Sequence, residues 1–160
     1  MQLFFEEKFL SGKMTITDGE KNPVYTGKKS FWSKTIILSD AEGTKAAKIL
    51  EYNSLVKKCF EVKVGNKKVA TVKKKMSLIS QKLKVKGLGW DIAGNFLASE
   101  YTIKNGDEII ATIKRDKLIA VNEGYSIDVV KDENALAVVC LVMVLNRVLA
   151  KKKGKLLKKI

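Results

Sequence analysis

Two groups of lysines are the residues best placed to do chemistry. One is the consecutive run Lys73, Lys74 and Lys75; the other is the terminal set Lys151, Lys152, Lys153, Lys155, Lys158 and Lys159. A lysine ammonium is a compact positive charge that suits phosphate and other anions. Within a strand neighbouring side chains alternate, so Lys73 and Lys75 share one face and Lys74 takes the other. Removing residues 151–160 takes away six lysines and lowers the formal charge from +14 to +8. Leu156, Leu157 and Ile160 fall at i, i+1 and i+4 and give that segment a small apolar side if it is helical. A basic segment with apolar anchors suits an anionic membrane surface, at about 1 kcal/mol for each lysine close to it. The plainer alternative is a solvated terminus. Lys57-Lys58 and Lys67-Lys68 are further candidates, expected to flank one end of the fold together.

Other chemistry is poorly supplied. Histidine is absent, which removes the commonest general base and the commonest zinc ligand. Cys59 and Cys140 are far apart in sequence and read as small buried hydrophobes. No phosphate-cradling Gly-x-x-x-x-Gly-Lys loop or dinucleotide fingerprint occurs, and Gly87, Gly89 and Gly94 have the wrong spacing. Of the paired carboxylates, Glu6-Glu7 reads as a solvated start and Asp132-Glu133 as helix N-terminal charge favoured by the dipole. No catalytic residue, metal or cofactor is expected, and binding is the better class.

The elements that must hold these lysines follow from periodicity. From Lys13 onward apolar residues alternate with polar ones, the mark of strands with one face in a core. Met14 and Ile16 return through Val24-Tyr25; Ile36 and Leu38 return through Ala47 and Ile49; Phe60, Val62 and Val64 return through Ala70 and Val72; Tyr101 and Ile103 return through Ala111 and Ile113. The turns between them, such as Asp40-Ala-Glu-Gly43 and Asn105-Gly-Asp107, contain residues that accept positive φ. Leu83–Lys86, Trp90–Phe96 and Tyr125–Val129 add shorter strands. The return strands repeat imperfectly as Ala46-Ala-Lys-Ile-Leu50, Val69-Ala-Thr-Val-Lys73 and Ile110-Ala-Thr-Ile-Lys114, and their alanines leave room for something bulky inside.

That bulky object is the segment Asn134–Ala150, apolar on every side with one charge, Arg147, in its seventeen residues. Such a helix must lie inside a protein or a bilayer. Its unbroken apolar core, Ala135 to Leu145, is shorter than the ~18 residues a membrane span needs, which favours a buried core helix over a tail anchor. Ten to twelve strands, lysine outside and apolar inside, bury their edges best by closing into an antiparallel barrel around that helix, capped at Asp132. Residues 1–150 are therefore one mainly β barrel domain with a central helix at about 132–150, and 151–160 a basic tail.

At 160 residues one domain suffices. The excess of 31 basic over 17 acidic residues, +14, predicts attraction to polyanions. Nucleic acid is the weaker partner, because only Arg115 and Arg147 are arginine and aromatics such as Trp90 and Phe96 take core positions. Glu6 and Glu7 stand where a signal peptide would be basic and then apolar, which points to the cytoplasm.

The Asp40-x-x-Gly43 turn, the run Val69-Ala-Thr-Val-Lys-Lys-Lys75, Trp90-Asp-Ile-Ala-Gly-Asn-Phe96, and Tyr125-Ser-Ile-Asp-Val129 before a hydrophobic helix together resemble the LURP-one-related family. This is part of the tubby C-terminal-like superfamily, and the chain resembles its bacterial YxjI-like branch. The resemblance covers Leu3 to Ala150. It implies a twelve-stranded barrel around a C-terminal helix, and tubby-like relatives imply a phosphorylated lipid head group as ligand. The lipid-binding positions of those relatives find no residue-by-residue match here, so none is carried over. The expected function is non-enzymatic binding of anionic lipid head groups or another polyanion; a scaffold or stress-related interaction protein is the alternative.

Overall fold

Twelve strands in simple up-and-down order close on themselves. They are β1 (Gln2–Lys8), β2 (Lys13–Asp18), β3 (Pro23–Lys29), β4 (Thr35–Asp40), β5 (Lys45–Ser54) and β6 (Lys57–Val64). The second half is β7 (Lys67–Lys74), β8 (Leu83–Lys86), β9 (Trp90–Asn95), β10 (Glu100–Asn105), β11 (Glu108–Asp116) and β12 (Asn122–Val129). A 3-10 turn at Asp132–Asn134 leads into the helix α1 (Ala135–Leu157). The structure is a computed structural model that describes residues 1–8, 11–30, 32, 34–54, 57–74, 82–95, 99–116 and 122–157, without the side chains of 95, 122, 123 and 150–157.

Every strand pairs antiparallel with its sequence neighbours, and β1 closes the ring on β12 with Leu3 opposite Ile127 and Phe5 opposite Tyr125. Closure leaves no unpaired edge to recruit another chain. One end of the barrel is made of tight hairpin turns. The Asp18 carboxylate accepts hydrogen bonds from the backbone N–H groups of Glu20 and Asn22, and Asp40 does the same for Glu42 and Thr44. Gly43, Gly65 and Gly106 take positive φ at this end, as the turn chemistry predicts. A register shift accompanies four of these hairpins, at Ile16/Thr17, Leu38/Ser39, Val62/Lys63 and Ile103/Lys104. Such bulges sharpen the twist that curls the sheet into a closed ring.

The helix threads the ring. Residues 138–146 are buried without a break, so no face of this stretch meets water. Ala47, Ala70 and Ala111 are buried in the wall, as the repeat predicts, and β5 and β12 lie nearest the helix. Gly27 on β3 makes a further allowance: a Cβ there would stand 3.0 Å from Met14 Cβ and 3.1 Å from Met143 Cε. Among the described residues no helix is long and apolar enough to cross a membrane.

Three expectations need correction. Regular alternation begins at Gln2, not Lys13: β1 buries Leu3 and Phe5, and Glu7 is drawn inward while Glu6 stays exposed. The first turn at Asp132 is 3-10, with Lys131 as its cap and Asp132 3.3 Å from the Met1 amine, so α1 proper starts at Ala135. The helical backbone runs on to Leu157, past Ala150, because lysine and leucine sustain a helix well.

Candidate functional site

Where α1 leaves the barrel, its last buried turn meets a ring of polar groups. Asn146, 2% exposed, accepts a hydrogen bond from the Tyr125 hydroxyl at 3.1 Å and donates through Nδ2 to Glu7 Oε2. Beside it, Arg147 Nη2 donates to Glu51 Oε2 at 2.9 Å, and Lys58 Nζ lies 3.4 Å from Glu51 Oε1. Alternation along β1, β5 and β6 turns Glu7, Glu51 and Lys58 inward, so helix and wall are joined by charge at this level. Lys29 is held below the ordinary lysine range, first by loss of water around it and then by Arg147, with Glu7 and Glu51 acting in the opposite sense. Its side chain nevertheless stays open to solvent. This ring fixes the helix in register and has the character of structural bracing. Cys59 and Cys140 are both free and buried, and burial pushes the Cys140 thiol up to about 12, which keeps Cys140 a protonated thiol at neutral pH.

A groove of about 360 Å³ runs along the outer wall, lined by Tyr52, Lys68, Thr71, Lys73 and Lys86 with the backbone of Val69, Ala70 and Gly87. Its origin is local. β8 pairs with β7 only at Thr71↔Lys86 and Val72↔Val85, which leaves the rungs toward Lys73 open. Gly87 sits at φ +96° so close to β7 that a Cβ would fall 2.4 Å from the Val69 carbonyl oxygen. Three lysines and a phenol face the groove and no carboxylate does. Among the described residues Lys68, Lys73 and Lys86 have no ion-pair partner, unlike Lys58, Lys63, Lys82, Lys114 and Lys131. An anion entering here would meet positive charge that no described carboxylate neutralises.

Residues 1–146, every strand and the helix through Asn146, match the sequence profile of the LURP-one-related family. The chain belongs to the LURP-one-related family. It is 23% identical over 153 residues to the uncharacterized protein YxjI of Bacillus subtilis (strain 168), covering 93% of this chain and 94% of that one. The X-ray structure of a protein from Arabidopsis thaliana superposes with a TM-score of 0.67 at 20% identity, over 92% of this chain and 91% of the other. That likeness shows the fold.

In this LURP-one-related barrel the sequence candidates separate. Lys73 is exposed on the outer face of β7 and lines the groove, whereas Lys74 is half-buried on the inner side. Lys75, Lys158 and Lys159 lie outside the described residues, as does Phe96. Lys151, Lys152, Lys153 and Lys155 stand on the helical extension, their side chains outside the description. Lys57-Lys58 begin β6 and Lys67-Lys68 begin β7, so the two pairs lie at opposite ends of the barrel rather than together. Trp90 is buried, as expected. Lys68 and Lys86 join the groove across two strands, a proximity set by pairing and carried by no spacing in the sequence.

The charge is distributed along the axis. Each end can be taken as its connections plus two residues of every flanking strand. The hairpin-turn end then carries eight lysines and ten carboxylates. The helix-exit end carries twelve basic residues against Glu7, Glu100 and Asp116, counting described side chains alone. Among the described side chains the positive surplus sits at the helix-exit end.

Proposed function

We propose that this LURP-one-related protein is a non-enzymatic binder of anionic lipid head groups, working from the cytoplasm as a peripheral partner of the membrane. The observation that carries this reading is the groove: three lysines and Tyr52 around one concavity, with no carboxylate lining it and no ion pair spent on any of the three among the described residues. Lysine suits a phosphate as a point charge, and an open groove accepts a head group that remains tethered to its bilayer. The basic helical extension adds attraction to the same surface. The tubby-like resemblance is in accord with such a ligand.

The test is titration of the whole protein with vesicles of neutral and of anionic lipid. Replacing Lys68, Lys73 and Lys86 together by alanine should weaken binding to anionic vesicles by about 10²-fold, given ~1 kcal/mol per lysine at such a surface. Unchanged affinity in a folded triple variant would remove the groove from the function.

A further inference from the structure

We infer that the barrel meets an anionic lipid surface end-on, with the helix-exit rim against the bilayer, Trp32 in the head-group layer and the hairpin-turn end pointing away. The inference rests on the lipid reading for its choice of partner and adds an orientation that the groove alone does not specify.

Three observations carry it. The first is the axial separation of charge: the helix-exit end is strongly basic while the turn end is close to neutral and slightly acidic. A molecule with that polarity is turned by the field of an anionic surface before contact, because steering acts on the whole charge distribution. The second is Trp32. It lies in the connection between β3 and β4 at the helix-exit end and is 90% exposed, whereas the only other tryptophan, Trp90, is 7% exposed. An indole combines an apolar body with a polar N–H, and that combination places tryptophan at membrane–water interfaces. The third is cross-strand pairing. Lys13 lies directly opposite Lys28 on this rim, both exposed. Like charges facing each other across a ladder repel, and here no carboxylate among the described residues makes an ion pair with either, although Lys63 also faces Lys68 at the turn end.

Of the groove residues, Lys73 near the end of β7 and Tyr52 near the end of β5 lie toward this rim and are the ones this orientation brings to the bilayer, whereas Lys68 at the start of β7 and Lys86 at the end of β8 lie toward the hairpin turns. The helical extension that bears Lys151, Lys152 and Lys153 leaves the barrel at the same end.

Tryptophan emission reads the orientation directly. Full-length protein is mixed with phosphatidylcholine vesicles containing phosphatidylserine, with brominated or ordinary acyl chains, and sedimentation is followed in parallel. Expected are quenching by the brominated lipid and loss of that quenching in Trp32→Phe. Expected too is at least about tenfold weaker binding for Lys13→Glu with Lys28→Glu. Lys45→Glu with Lys104→Glu, at the turn end, should change affinity little. Sedimentation without quenching, or equal weakening by both pairs of reversals, would overturn the end-on orientation and leave lipid binding standing. No sedimentation with anionic vesicles, or preference for a single-stranded oligonucleotide over them, would overturn both.

Discussion

Glu51 is the residue on which the helix-exit end of the core depends. Its side chain is 3% exposed and serves Arg147 and Lys58 at once. Removing one partner of a buried ion pair leaves the other charge uncompensated. Glu51→Gln should therefore cost about 3 kcal/mol of unfolding free energy, seen as a lower urea midpoint at unchanged m. A midpoint equal to wild type would mean that the Arg147 contact contributes nothing net. Lys29 carries the opposite sign. Its folded-state pKa is depressed, so the unfolded chain binds more protons between that value and the ordinary lysine range. Stability should rise with pH through that alkaline window. Lys29→Gln should remove the rise and leave the neutral-pH protein as stable or slightly more so, measurable by thermal melts across alkaline pH. Neither role was readable beforehand. Glu51 stands at an ordinary polar position in the sequence of a strand, and its inward direction has meaning only with Arg147 threaded beside it.

At the scale of the element, α1 was the most legible part of the molecule, because a segment apolar on all sides admits few environments. The four hairpins, the short strands β8 and β9, and the last strand before the helix were legible for a similar reason: alternation and turn residues are local properties. β1 was missed because Phe4 interrupts the alternation of Leu3 and Phe5, and the acids after it suggested solvent. Pairing of β1 with both β2 and β12 overrides that local ambiguity. Burial of residues 138–146 predicts that Val142→Asp abolishes soluble folded protein, because a carboxylate there has no partner and no water. Val142→Ala should fold with a loss of about 2 kcal/mol, which separates a cavity from a buried charge. Thermal unfolding and size-exclusion chromatography read both. A monomeric, cooperatively melting Val142→Asp variant would contradict the threaded helix.

For the whole molecule, the +14 charge is plain in composition, but the uneven distribution of the described lysines between the two ends is not. In an up-and-down barrel alternate connections fall at the same end, so the lysines that flank every second connection accumulate there. The groove lay further from reach, since Lys68, Lys73 and Lys86 come together through the short pairing of β7 with β8. The most direct measurement is co-sedimentation of full-length protein and a 1–150 truncation with neutral and anionic vesicles. It should be run at low salt and at ~0.15 M, where exposed charges are screened beyond about 8 Å. The account predicts no binding to neutral vesicles, binding to anionic vesicles that persists at the higher salt, and weaker but measurable binding after truncation takes the charge from +14 to +8. Absence of binding to anionic vesicles at both salt concentrations would contradict it.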